Sequence, residues 1–186
     1  PNPYHRARAI WLLAELGPDG VREVEQRLTD TDPQIRVAAF RALRRAKASV
    51  LAEARALSED PSPAVRREVA LSLRGIPFEN SRDIFQKLAA AYDGVDRYLE
   101  AVGTAAWGIE DGLYSALLPT LGDPDPLRWS PRFSAIAWRL HTVTAVDGFR
   151  ERAKSSALTV ADRRQALVAI AFVDDPQAAA VMAELT

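Results

Sequence analysis

The sequence predicts an all-α fold, an α-α superhelix or α-solenoid of about six helical hairpins, and three observations carry that prediction. A pattern of short turn, arginine and apolar-faced helix recurs at a spacing of about 30 residues: HRARAIWLLAEL from His5, TDPQIRVAAFRALRR from Thr31 and DPSPAVRREVALSLR from Asp60. Arg6, Arg36 and Arg66 are in register, as are Leu13, Leu43 and Leu73. No segment alternates apolar and polar residues with period two over a useful length, so no strand is assigned. A fixed period of this kind is the sequence mark of stacked repeats, in which each unit buries its apolar face only against its neighbours.

Each element follows from its own spacing. Residues 4–16 form the first helix, with Ile10, Leu13 and Leu16 on one stripe and Trp11 beside it, ended by Gly17-Pro18. Val21, Val24 and Leu28 give the second helix, 19–28. Asp32 caps the third, with Pro33 at the first position, where the missing N–H costs nothing; Ile35, Ala39, Leu43 and Ala46 form its buried face. The cycle repeats with helix 48–58, a turn with Ser62 as cap, and helix 63–76 carrying Val65, Val69, Leu73 and Ile76.

Beyond Pro77 the repeat diverges but persists. Helices are expected at 80–92, 96–106 and 110–121, with Arg97 taking the arginine position at a spacing of 31. Asp93 and Asp96 around Gly94 resemble the start of a calcium loop but lack the remaining oxygen ligands; Gly94 as a C-cap and Asp96 as an N-cap account for them. Residues 122–132 are the longest non-helical stretch, with three prolines and a Trp129 that reads as exposed. Helices 132–143, 145–156 and 160–173 follow, then a half-unit from Pro176 with Val181, Met182 and Leu185. A start on the second helix of one unit and an end on the first helix of another, with no polar capping face, predict a single repeat domain, 1–186, excised from a longer chain.

Composition narrows the function classes. The formal net charge is -1, distributed as +3 over residues 1–75, -5 over 76–128 and +1 over 129–186. Nucleic-acid binders carry a marked basic excess, so this balance argues against DNA or RNA, even with Arg41, Arg44, Arg45 and Lys47 clustered. With no cysteine, the chain offers no disulfide, thiolate metal site, thiol nucleophile or covalently attached c-type haem. No apolar run approaches the roughly 20 residues of a membrane span, and membrane insertion is not expected. No Gly-rich phosphate loop, GxSxG or HExxH is present, so neither an active site nor a cofactor or metal is expected.

Two polar features remain. The arginines Arg6, Arg36, Arg66 and Arg97 are read as a structural ladder, each bonding the Asp or carbonyl groups of the neighbouring turn, rather than as a stripe gripping an anion. Trp138 and His141 stand at i, i+3 in WRLH, and with Trp129 and Arg139 they mark a possible interaction surface.

The Asp60–Arg74 stretch looks like a HEAT-type repeat, with Pro at the helix start followed by Val-Arg. Together with YDGVDRYLEAVGTAA (92–106) and the run from Phe133 to Val173, it resembles the HEAT-like segment of membrane-bound dehydrogenase-type proteins of the planctomycete and verrucomicrobial kind. That resemblance implies a non-catalytic scaffold or spacer between a β-propeller and a c-type haem domain, in an extracytoplasmic protein whose redox centres lie outside these residues. Its partners would be another protein or flanking domains of the same chain. A HEAT-type nucleic-acid or DNA-repair protein and a bilin-lyase-like HEAT protein are the alternative readings.

Overall fold

The computed structural model describes residues 2–185, apart from the side chain of Pro3; Pro1 and Thr186 of the expected 1–186 domain lie outside them. Among the described residues there are twelve α-helices and no strand: α1 (Pro3–Ala14), α2 (Pro18–Gln26), α3 (Pro33–Ala46), α4 (Leu51–Leu57), α5 (Pro63–Ser72), α6 (Phe78–Ala90), α7 (Asp96–Ala105), α8 (Glu110–Leu121), α9 (Pro131–Leu140), α10 (Val146–Lys154), α11 (Val160–Ala171) and α12 (Pro176–Leu185). The fold is therefore the expected all-helical solenoid. Every helix stands where the periodicity places it, shifted by a few residues at its ends.

The packing forms two layers. The odd-numbered helices touch in succession, α1 on α3, α3 on α5, α5 on α7, α7 on α9 and α9 on α11. The even-numbered helices form the second layer, with α4 on α6, α6 on α8 and α10 on α12. Between the layers lies a continuous core that includes Phe40, Val69, Leu88, Leu113, Phe133 and Ile170, all buried. A smaller cluster of Ile10, Val24, Ile35 and Leu43 closes the N-terminal end. Burial of this lengthwise seam is what holds short helices that would fray alone.

The turns carry the caps. Asp32 accepts the Gln34 N–H at 2.9 Å, with Pro33 in the first helical position. Ser62 occupies the N-cap of α5 but its hydroxyl caps nothing; the Asp60 carboxylate takes the Ser62 N–H at 2.8 Å instead. Asp96 is the first residue of α7 rather than its cap, and Gly94, with φ 92°, turns the chain two residues before it. Leu16 lies beyond the end of α1 and is 70% exposed, because the helix stops at Ala14.

Candidate functional site

The arginines are the most regular polar feature of the repeats. Arg36 is buried and donates from Nε and Nη2 to the Asp60 carboxylate at 2.8 and 2.7 Å, and from Nη1 to the Asp30 carbonyl at 2.7 Å. Arg6 reaches Asp30 across the same 24 positions at 3.3 Å, in a more exposed setting. For Arg66 the residue 24 positions on is alanine, and its ion pair is a longer one, to Asp93 at 4.0 Å. Arg66 donates to the carbonyls of Asp60 and Ala91 at 2.7 and 3.3 Å, and its guanidinium stands 5.5 Å from the Tyr98 ring centroid.

Arg97 does not belong to this series. Arg6, Arg36 and Arg66 are each the fourth residue of their helix, whereas Arg97 is the second residue of α7 and exposed, and among the described residues its side chain makes no hydrogen bond or ion pair. α7 starts 33 residues after α5 (Pro63 to Asp96), where α5 starts 30 after α3 (Pro33 to Pro63), so the register shifts and buried Leu99 fills the fourth position.

Several other arginines of the N-terminal repeats are also matched. Arg41 makes a two-pronged bond to Glu68 at 2.8 and 2.5 Å, Arg67 approaches the same carboxylate at 3.5 Å, and Arg45 pairs with Glu15 at 3.4 Å. Lys47 bridges Glu25 and Glu53. In the even layer, Arg55 binds Asp83 and Lys87 binds Glu59, both at 2.6 Å. These pairs run from repeat to repeat and leave a salt-bridged face rather than a bare cationic one.

Trp129 is not part of an exposed surface. Its indole N–H donates to the Asp123 carbonyl at 2.8 Å, and its ring packs edge-on against Phe133 and Phe149, with centroids 5.1 and 5.3 Å away. Tyr114 approaches at 6.3 Å, and the residue is 6% exposed. The proline-rich loop folds back over the seam and delivers an aromatic anchor to it.

The remaining candidates converge elsewhere. The last turns of α7, α9 and α11 lie side by side along one edge of the solenoid and line a cavity of about 440 Å³ with Gly103, Trp107, Arg139, His141 and Phe172. The acidic start of α8, Glu110 and Asp111, and the turn at Asp174 and Asp175 complete it. Trp107 and Phe172 are 71% and 59% exposed at this cavity. Trp138 stands behind this edge and contributes instead to a neighbouring apolar groove against α11, lined by Val160 and Val168.

Local chemistry fixes this edge. His141 ends α9 in the left-handed conformation (φ 51°, ψ 33°), a position that normally favours glycine. Its ring is 5.5 Å from Phe172 and 6.2 Å from Trp138. Burial first, and then the Arg139 charge, hold its pKa below the ordinary histidine value. Thr142 and Thr144 both donate to the Asp111 carboxylate, the second at 3.1 Å, which ties the end of α9 to the start of α8. Arg139 lies across Gly103, where a Cβ would fall 2.7 Å from its Cγ, and pairs with Glu100 at 2.6 Å.

Phe172, Asp174 and Asp175 are members of this edge that the sequence reading passed over. The available signal was phase: Phe172 falls off the Ala166–Ile170 face of α11 and is followed, after Val173, by Asp174 and Asp175. Among the described residues, no three His, Cys, Asp or Glu side chains are brought together in a way that could hold a metal ion. No helix among them is long and apolar enough to cross a membrane.

Comparison with known proteins agrees with this architecture. No curated protein and no solved structure is matched by the chain. Residues 21–106 match the family described as HEAT repeats, a stretch running from within α2 to just past the end of α7. The helices α8–α12 continue the same two layers, and the chain is an all-helical solenoid carrying HEAT-like repeats, an architecture associated in general with protein-interaction scaffolds.

Proposed function

We propose that this protein is a non-catalytic scaffold whose partner-binding surface is the edge cavity formed by the ends of α7, α9 and α11. One observation carries the reading: the regular charges of the repeats are matched from unit to unit, while Trp107 and Phe172 remain exposed together around one cavity. Exposed aromatic rings on a rigid frame bring large contact area at little entropic cost. The test is affinity capture from the source extract with the wild-type chain and with a Trp107→Ser/Phe172→Ser variant that melts at the same temperature. A specific protein retained by the first and lost with the second supports the reading. Equal retention by both, or turnover of a substrate by the purified chain, overturns it.

A finer form of the same reading makes the chain a spacer that holds two redox domains of an extracytoplasmic protein in relation. Its support is the resemblance of the stretches that form α5, α7 and α9–α11 to the helical segment of the dehydrogenase-type proteins. Sequencing the complete reading frame tests it. Flanking propeller and CxxCH segments would support the spacer, and other neighbours would remove it.

A further inference from the structure

From the chemistry of the same edge, and resting on the reading just given, we infer that the α7–α9–α11 cavity receives arginine or lysine side chains from an extended basic segment of the partner protein. Several features lead to this. The cavity walls present the rings of Trp107 and Phe172, whose negative faces attract cations. Around them stand Glu110, Asp111, Asp174 and Asp175, and among the described residues none of the four pairs with a lysine or arginine. Asp111 takes hydroxyl bonds from Thr142 and Thr144, Glu110 takes the Gly108 N–H and Asp175 takes the Gln177 N–H, so the carboxylates are oriented without being neutralised.

The cationic groups in the wall do not offset them. Arg139 is matched by Glu100 at 2.6 Å, and His141 is held toward its neutral form by burial. The molecule already shows the mode of contact at one end of this edge, where the Arg74 guanidinium lies 5.5 Å from the Trp107 ring centroid. A cavity of about 440 Å³ accepts a few side chains; a helix, with its diameter of about 10–12 Å, does not enter it, which favours an extended segment.

The test is calorimetric titration of the whole chain with a blocked peptide alternating arginine and glycine, beside the same peptide with neutral citrulline in place of arginine. The arginine peptide is expected to bind, about tenfold or more tighter than the citrulline peptide, a difference of one cation–π or charge contact. Raising the salt concentration weakens it. Asp174→Asn/Asp175→Asn and Trp107→Ser each reduce the affinity severalfold, with unchanged thermal melts. Equal binding of the two peptides, or binding indifferent to both variants, contradicts the inference. If neither peptide binds while Trp107→Ser/Phe172→Ser still abolishes capture of a protein, the scaffold reading stands and the cationic partner falls. If capture also survives that variant, both fall.

Discussion

Arg36 of α3 and Asp60, in the turn before α5, face each other with both guanidinium prongs on both carboxylate oxygens, at 2.8 and 2.7 Å. The pair crosses from one repeat to the next, and both side chains are almost wholly buried. The Asp60 bond raises the Arg36 pKa, so the charge is secure at any ordinary pH. Removing one member of a buried pair strands the other, so Arg36→Ala is expected to destabilise the protein by about 3 kcal/mol. The exposed counterpart Arg6→Ala, which loses only its contact to Asp30, is expected to cost less than about 1 kcal/mol. Urea unfolding of the two variants checks the order, and a double-mutant cycle with Asp60→Asn isolates the coupling.

The two tryptophans Trp129 and Trp107 should behave in opposite ways. Trp129 fills the seam between Phe133 and Phe149, and its N–H satisfies the Asp123 carbonyl. Trp129→Ala is expected to cost about 3–5 kcal/mol by leaving a cavity and an orphaned carbonyl. Gly148→Ala should also destabilise, since a Cβ there would lie 2.5 Å from the Trp129 ring. Trp107→Ala, at a site 71% exposed, is expected to change stability by less than about 1 kcal/mol. Thermal melts of the three variants separate a core anchor from a surface contact.

His141 combines a backbone constraint with a titration. Its φ of 51° is tolerable for histidine but poor for a β-branched residue. His141→Val should therefore be less stable than His141→Gly by about 1 kcal/mol or more. Because burial and Arg139 lower its pKa from 6.5, the folded state binds this proton less readily than the unfolded chain. Stability from this group is present above pH 6.5 and is lost as pH falls toward the lower folded-state value. An NMR titration of the ring should find that lower value, and His141→Gln should flatten the corresponding part of the stability profile.

Tyrosine ionisation gives a prediction of the opposite sign. Burial pushes the Tyr98 and Tyr114 hydroxyls from 10 up to about 12. The folded state thus favours their neutral forms, and the stability they contribute is complete below pH 10 and declines as pH rises through about 12. A near-ultraviolet absorbance titration should show late-ionising tyrosines whose release coincides with alkaline unfolding. Tyr98→Phe should remove part of that step and leave the Leu88 carbonyl, now bonded at 2.7 Å, without this donor.

The sequence made the helices legible because their cause is local. The periodic stripes, Pro33 and Pro63 at helix starts, and the Asp32 cap all act within one turn of the chain. Arg6 and Arg36 were legible for a related reason, since their partners recur at a constant 24 positions. Trp129 was not, because the residues that bury it, Tyr114, Phe133 and Phe149, come from three different helices, and only folding back of the loop assembles them. Arg97 does not keep the ladder position because the unit from α5 to α7 is three residues longer than the unit from α3 to α5, which alters register without altering composition. The edge cavity was half legible: Arg139 and His141 stand in it, Trp138 lies behind it, and Phe172, Asp174 and Asp175 arrive from the next repeat.

If recognition occurs at the α7–α9–α11 edge, amide hydrogen exchange with and without the arginine-glycine peptide must locate it there. Protection is expected at Trp107–Asp111, His141–Val143 and Phe172–Asp175, with the N-terminal repeats unchanged. Protection centred instead on the Arg41–Lys47 face of α3, or no change at the edge while the peptide is bound, would contradict it.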